Sequence, residues 1–175
     1  MSSPLVAAAV GLLLWVAPLA IAWHRIGIRR HLPAALRWPG FVAVLPLAFV
    51  LRGAFGEASA ALPAMILLAA SPLGRPGRLF LGVLVAAALA LYASALGFFA
   101  TDFYSVGYAP SWGVAVVAAA ALAAYRWLPA LAWAWLAGLG LSAAGLHPSP
   151  NLFDALIDLP SVLIAARLVL RRSIA

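Results

Sequence analysis

The sequence predicts an all-α fold: a polytopic integral membrane bundle of about seven transmembrane helices. They form one domain, residues 1–175, with the N-terminus outside and the C-terminus cytoplasmic. Composition predicts the membrane class, because 67% of the 175 residues are hydrophobic, 9% are charged and the mean hydropathy is +1.11. A soluble domain has about 45–50% apolar and about 25% charged residues, and one of this length could not bury so much apolar surface. The spacing of the apolar runs and the placement of the charges predict the helix number and the orientation.

The first apolar run, Pro4–Trp23, predicts a spanning helix rather than a cleaved signal peptide. Ala20-Ile21-Ala22 has the form of a cleavage site, but signal peptides carry positive charge before the apolar run. Here the arginines follow the run, beginning at Arg25. This flank favours an uncleaved helix whose N-terminus is outside. Trp15 lies in the run near a predicted helix end, and we interpret it as an interfacial side chain.

Six further apolar runs predict helices, since a membrane crossing needs about 20 residues. They are Pro39–Phe55, Glu57–Leu73, Leu79–Ala100, Ser111–Trp127, Ala130–Leu146 and Leu152–Arg172. The first two of these six are short. We interpret them as a hairpin that turns at the flexible Gly53–Gly56 segment, with Arg52 and Glu57 able to pair across the turn. In the alternative, the pair is re-entrant and the bundle has six helices.

Charge placement supports this orientation. All eleven basic residues are arginines, and ten of them fall on or near the predicted cytoplasmic side, as the positive-inside rule requires; Arg52 is the exception. The acids fall on the opposite side: Glu57, Asp102, Asp154 and Asp158. The net charge of +7 is therefore an orientation signal, and no nucleic-acid partner is predicted. We expect the chain to lie in a bacterial cytoplasmic (inner) membrane.

Small residues recur every four positions in two of the predicted helices. They are Gly82, Ala86, Ala90 and Ser94 in one, and Ala134, Gly138 and Ser142 in the other. Such stripes let helix backbones approach closely in lipid. We interpret them as packing within the chain, with a homo-oligomer or a membrane protein partner as the alternative.

Two predicted outer loops hold the densest group of polar side chains, and we take these as a candidate site. Its members are Asp102, Tyr104, Tyr108, His147, Asn151, Asp154 and Asp158. Asn151 is placed to cap a helix with Asp154 at its third position. In a continuous helix, Asp154 and Asp158 share one face. Alternatively, the helix breaks before Pro160 and Asp158 caps a second segment.

This group predicts either interfacial capping or a site for a cation or polar group. Two carboxylates with His147 could also hold a divalent metal, but the sequence has no metal-binding motif. We therefore predict no metal, no cofactor and no catalytic residue.

A basic stretch follows the first predicted helix and faces the cytoplasm in this topology. We interpret it as a topology anchor that lies against membrane lipid, attracted by anionic headgroups. The candidate headgroup contacts are Arg25, Arg29, Arg30 and Arg37.

Several sequence features that mark particular function classes are absent, and their absence disfavours those classes. No predicted helix has an ionisable residue at its centre, which disfavours proton- or ion-coupled transport, and no phosphate loop or nucleophile elbow is present. We therefore favour a non-enzymatic membrane subunit or binding protein that recognises a partner or lipid through its outer polar face. The alternatives are a small channel or carrier for a neutral or cationic solute, and a membrane enzyme that uses the outer Asp and His residues on a lipid-linked substrate.

Overall fold

A computed structural model describes residues 3–25, 42–69, 71, 73–108 and 110–171, and every regular element within these ranges is helical. The elements are α1 (Pro4–Arg25), α2 (Val44–Phe55), α3 (Ala61–Ala69), α4 (Arg75–Ala95), a 3-10 helix (Tyr104–Tyr108), α5 (Pro110–Tyr125), α6 (Pro129–Ala143), α7 (Leu152–Leu156) and α8 (Leu159–Leu170). The predicted all-α class is therefore confirmed for this part of the chain.

Two of these helices are long and apolar enough to cross a membrane: α1 over Pro4–Trp23 and α4 over Pro76–Ala95. The 21 residues of α4 extend about 31 Å at 1.5 Å per residue, close to the thickness of a bilayer's hydrocarbon core of about 30 Å. The other helices are shorter; α2 and α8 have 12 residues each and α3 has 9. The described ranges thus contain two candidate spans where the sequence predicts seven.

Hydrogen bonds between helix termini show that α1 and α2 run in opposite directions. Arg52 in the last turn of α2 donates from Nη1 to the carbonyl of Ala8 near the start of α1, at 3.2 Å. Beside this contact, Ser59 just before α3 donates to Asp158 at the start of α8. We call this the acidic end of the molecule. It holds all four acidic residues: Glu57, Asp102, Asp154 and Asp158.

Other helix termini meet at what we call the arginine end. Arg78 in the first turn of α4 donates to the carbonyl of Arg171 after α8, at 3.1 Å, and Arg171 donates to the carbonyl of Ala69 at the end of α3, at 3.1 Å. Gly77 lies against Leu128 in the α5–α6 turn: a Cβ added at Gly77 would be 3.2 Å from Cδ2 of Leu128. Because α4 begins here and finishes near the acidic end, its length separates the two ends.

The core lies between α3, α4, α6 and α8. Its largest fully buried apolar side chains include Met65, Leu81 and Leu131. A second cluster, with Trp15, Ala48 and Leu62, packs α1 against α2 and α3. Many large apolar side chains instead point outward, among them Leu13, Val50, Val83, Leu122, Trp133 and Leu163. Several helix faces are therefore apolar on the outside as well.

The predicted hairpin is present as two short helices, α2 and α3, joined by residues 56–60. Gly56 turns the chain with a φ of 79°, a backbone conformation that favours glycine. Arg52 and Glu57 pair at this turn as predicted, with Nη2 and Oε1 2.5 Å apart. Both helices are shorter than the apolar runs that predicted them.

The seventh predicted run is not one helix. α7 ends at Leu156, Ile157 has an extended backbone (φ −147°, ψ 138°), and α8 begins at Leu159. Pro160 lies in the first turn of α8, where its missing N–H removes no helical hydrogen bond. The expectation that Asp154 and Asp158 share one helix face is therefore wrong, and the alternative with a break before Pro160 is the observed one.

Candidate functional site

Asp158 is the centre of a buried polar network that joins α3 to α8. Its Oδ2 accepts from the backbone N–H of Ser59 at 2.6 Å. Its Oδ1 accepts from both the backbone N–H and the hydroxyl of Ser161, each at 2.6 Å. Asp158 is only 6% exposed. The carboxylate thus caps α8 and holds the segment before α3 against it.

Two tryptophans donate to backbone carbonyls at the edges of the non-helical segments. Trp15 donates its indole N–H to the carbonyl of Gly56 at 3.0 Å, and Trp135 donates to the carbonyl of Leu156 at 3.0 Å. Trp15 is 3% exposed, so its interpretation as an interfacial side chain is wrong. Its polar atom is needed inside the protein, where an unpaired carbonyl would be costly.

Asn151 links α7 to the 3-10 helix. It is the N-cap of α7, as predicted, and its Oδ1 accepts from the N–H of Phe153 at 2.9 Å. Its Nδ2 donates to the carbonyl of Tyr104 at 3.1 Å. A Cβ at Gly107 would overlap the Asn151 side chain, so the absence of a side chain at Gly107 allows this close approach.

The Asp154 carboxylate accepts hydrogen bonds from two hydroxyl groups. The phenol of Tyr104 donates to its Oδ1, and the hydroxyl of Ser149 donates to its Oδ2 at 2.5 Å. Burial raises the pKa of Tyr104 above its ordinary value, and the hydrogen bond to Asp154 raises it further. Tyr104 therefore stays protonated at neutral pH and remains a donor to the carboxylate.

Asp102 caps the 3-10 helix. Its Oδ1 accepts from the backbone N–H groups of Tyr104 and Ser105, at 3.0 and 3.2 Å. The hydroxyl of Ser94, at the end of α4, accepts from the N–H of Phe103 at 2.6 Å and holds the same loop. Asp102 thus orders the loop that presents Tyr104 to Asp154.

Tyr108 and His147 occupy the edges of this group. Tyr108 is exposed and packs edge-on against Tyr104, with ring centroids 6.3 Å apart. His147 is buried, and its Nδ1 accepts from the N–H of Ser149 at 3.2 Å. The same nitrogen lies 3.3 Å from the carbonyl oxygen of Ser149, so either tautomer of the ring has a partner at Nδ1.

Glu57 belongs to the site although the sequence pattern did not place it there. Its Oε1 accepts from Arg52 Nε at 2.9 Å as well as from Nη2, and its side chain lies against Gly11 of α1, where a Cβ would overlap Glu57 Oε2. The predicted pairing with Arg52 was the available signal. That pairing does not indicate that the turn lies beside α4 and α8.

Some of these groups line a cavity of about 580 Å³ between the ends of α2 and α4 and the α7–α8 break. Three carboxylates line it, those of Glu57, Asp154 and Asp158. The remaining lining residues are Phe55, Gly56, Tyr92, Ala95, Leu96, Ser149, Ile157 and Leu159. The site is therefore acidic on one side and mainly apolar elsewhere.

An apolar groove of about 310 Å³ adjoins the cavity. Phe55 lines both, and the consecutive residues Leu159 and Pro160 line the cavity and the groove respectively. The groove runs between α1, α2, α3 and α8, with Trp15, Leu62 and Ile164 among its walls. A cavity with three carboxylates in its wall and an apolar groove thus meet at Phe55.

The predicted site residues do not converge on one centre. Asp154 and Asp158 line the cavity, whereas Asp102 and His147 do not. Within the described ranges, no three His, Asp or Glu side chains lie together as ligands that could hold a metal ion.

Most of the candidate headgroup contacts on the inner face lie outside the residues that the structure describes. Arg25 is the last residue of α1, while Arg29, Arg30 and Arg37 lie outside the described residues.

Comparison of the chain with protein-family models, curated proteins and solved structures finds no match.

Proposed function

We propose that this chain is a non-enzymatic, multi-pass membrane protein that binds an amine-bearing lipid at its acidic end. The observation that carries the proposal is the acidic cavity adjoining an apolar groove at Phe55. Ligand pockets measure about 300–1,000 Å³ and combine apolar walls with a few polar groups. An amphiphile fits this arrangement, because its head meets carboxylates while its hydrocarbon chain meets the groove.

Two features support a membrane location. Large apolar side chains cover outward helix faces, and a soluble monomer rarely exposes contiguous apolar patches. Backbone groups in and beside the non-helical segments, residues 56–60 and 157–158, also find partners within the protein: Ala60 donates to Ala155 at 3.0 Å, and the carbonyls of Gly56 and Leu156 accept from tryptophans. Irregular backbone at membrane depth is tolerated where it is buried in protein in this way.

The proposed topology keeps the N-terminus outside and the acidic end facing out, with seven crossings that include the short pair α2 and α3. The arginine end then faces the cytoplasm, in agreement with the positive-inside rule. The opposed directions of α1 and α2, and the separation of the two ends by α4, support this arrangement. A bacterial cytoplasmic membrane is the location we predict.

The charges at the cavity favour an ammonium head. Arg52 neutralises Glu57, but within the described ranges no basic side chain lies within ion-pairing distance of Asp154 or Asp158. Asp158 already accepts three hydrogen bonds, whereas Asp154 accepts two. Since an ionised carboxylate offers about four acceptor positions, Asp154 is the residue we assign to the ammonium.

The test is a competition between two zwitterionic lipids with identical chains. The purified full-length protein is offered equal amounts of phosphatidylethanolamine, whose head donates N–H groups, and phosphatidylcholine, whose head does not. Native mass spectrometry then counts the lipids retained. We expect about a tenfold preference for phosphatidylethanolamine, because a hydrogen bond to a charged group contributes about 1.5 kcal/mol.

Two matched variants locate the preference. Asp154→Asn removes the proposed acceptor charge and should abolish the preference. Asp102→Asn makes the same change at the acidic end but outside the cavity, and it should leave the preference intact because the asparagine Oδ1 still accepts from Tyr104 and Ser105. Equal retention of the two lipids by the unaltered protein would contradict the proposal, as would loss of the preference in both variants.

A further inference from the structure

A second groove lies at the arginine end, between α4 and α8. It has a volume of about 460 Å³ and is lined by Arg78, Leu79, Gly82, Val83, Ala86 and Val169. Arg78 is the only charged lining residue that the structure describes. A Cβ at Gly82 would only just touch Val169, at 4.0 Å, so a larger side chain there would fill the groove.

Backbone carbonyls hold Arg78 and Arg171 in place without neutralising them. Arg78 donates from Nε and Nη2 to the carbonyl of Leu73, both at 3.2 Å, and from Nη1 to that of Arg171. Arg171 in turn donates to the carbonyl of Ala69. All four acidic residues of the chain lie at the opposite end. The guanidinium charges of Arg78 and Arg171 therefore remain available to an anion.

The start of α4 adds to this positive potential. The helix has 21 residues, no acidic residue in its first turn and no side-chain cap at Gly74. The N-terminus of a helix carries a partial positive charge. Arg78 thus lies one turn into a helix whose start also attracts anions.

We infer that this groove binds one anionic phospholipid, with its phosphate against Arg78 and a hydrocarbon chain along Leu79, Val83 and Val169. The inference rests on the membrane location proposed above but not on the amine-bearing ligand. The walls select a lipid over free phosphate, because Leu79 and Val83 are 66% and 71% exposed and offer inorganic phosphate no partner. Basic pockets between helices at the cytoplasmic side are suited to acidic headgroups.

Competition between phosphatidylglycerol and phosphatidylcholine tests the inference on the purified full-length protein, again by native mass spectrometry. We expect the protein to retain phosphatidylglycerol preferentially and Arg78→Gln to lower its retention about fivefold, the effect of one arginine near an acidic headgroup. Gly82→Leu keeps the charge and fills the groove, so it should lower retention as well. This second variant decides the question if Arg78→Gln fails to fold.

Arg126→Gln is the matched control, because Arg126 is exposed in the α5–α6 turn at the same end and does not line the groove. It should leave the retention unchanged. An equal loss in Arg126→Gln and Arg78→Gln would overturn the inference by showing unspecific attraction. Displacement of the lipid by excess inorganic phosphate would overturn the role of the apolar walls.

The two lipid proposals fail independently. Phosphatidylethanolamine and phosphatidylcholine both have zero net charge, so the arginine-end groove does not distinguish them. Asp154→Asn should leave phosphatidylglycerol retention unchanged, and Arg78→Gln should leave the preference for phosphatidylethanolamine unchanged.

Discussion

At the scale of single residues, Asp154 and Asp158 differ in the kind of donor that each accepts. Asp158 accepts two rigid backbone N–H groups, those of Ser59 and Ser161, as well as one hydroxyl. Asp154 accepts two hydroxyls, which can rotate and become acceptors. The first carboxylate is therefore fixed in its structural role, whereas the second can exchange partners, as a ligand-binding group must.

This difference predicts unequal effects of the same substitution. In Asp158→Asn, one face of the side chain becomes an NH₂ group that opposes a backbone N–H, and we expect a loss of about 2 kcal/mol of stability. For a chain of this length, that lowers the thermal midpoint by about 4–8 °C. Asp154→Asn should cost less than about 1 kcal/mol, because its hydroxyl partners reorient. Thermal unfolding of both variants in detergent measures the difference, and equal midpoints would contradict it.

Tyr104 gives a pH prediction. Its pKa is raised by burial and by Asp154, so the stabilisation from its phenol is fully present below the ordinary tyrosine pKa of about 10. It is lost only as the pH rises through the higher folded-state value. Tyr104→Phe should therefore not reduce the tyrosinate absorbance that develops near pH 10.

Asp154→Asn is the companion variant for this titration. Because it removes the hydrogen bond and the charge that raise the pKa of Tyr104, it should shift the ionisation of this residue to lower pH. A smaller absorbance change near pH 10 in Tyr104→Phe than in the unaltered protein would show that Tyr104 ionises normally.

At the scale of elements, the sequence predicts what is local and misses what depends on neighbouring segments. The Asn151 cap and the Arg52–Glu57 pair join residues at most five positions apart, and both are observed. The cavity depends on Glu57 and Asp158 coming together across a hundred residues. The spacing of residues in the sequence does not indicate that these two side chains approach each other, because their approach is determined by how the helices pack.

The helix lengths also show that the sequence predicts local features but not those that depend on distant segments. Apolar runs predict where a segment is hydrophobic but not where its backbone leaves the helix. The run beginning at Leu152 contains Asp158 and Pro160, which marked a break as one alternative. The helix breaks here because two residues distant in sequence stabilise the break. Ser59 donates its N–H to the Asp158 carboxylate, and Trp135 donates its indole N–H to the carbonyl of Leu156.

The turn between α2 and α3 depends on α1 in a way that one substitution can test. Trp15→Phe removes the indole N–H that bonds the carbonyl of Gly56 and leaves unfilled space at a side chain only 3% exposed. We expect a loss of about 2 kcal/mol or more, from the unpaired carbonyl and the cavity together. Trp133→Phe makes the same change at a side chain 61% exposed and should alter the thermal midpoint little. Equal losses would show that the Trp15 contact does not hold the turn.

At the scale of the whole molecule, the four acids lie at one end of the bundle together with Arg52, while Arg78 and Arg171 lie at the other. The acids at one end are used in capping, in the Arg52 pair and in the cavity. At the other end, Arg78 and Arg171 donate to backbone carbonyls. In a membrane this separation orients the chain, since arginine is retained on the cytoplasmic side while acids have little influence. Each end is then suited to a different headgroup: the acidic end to one that bears an ammonium group, and the arginine end to one with a net negative charge.

The orientation can be tested directly, because the chain contains no cysteine and any introduced thiol is unique. Ser105 lies exposed at the acidic end, after the cap at Asp102, and Ser71 lies exposed between α3 and α4 at the arginine end. Both accept the near-isosteric change to cysteine. In intact spheroplasts, a membrane-impermeant maleimide should label Ser105→Cys at once and Ser71→Cys only after permeabilisation. The reverse pattern would invert the topology, and labelling of both before permeabilisation would show that the chain does not separate its two ends across a membrane.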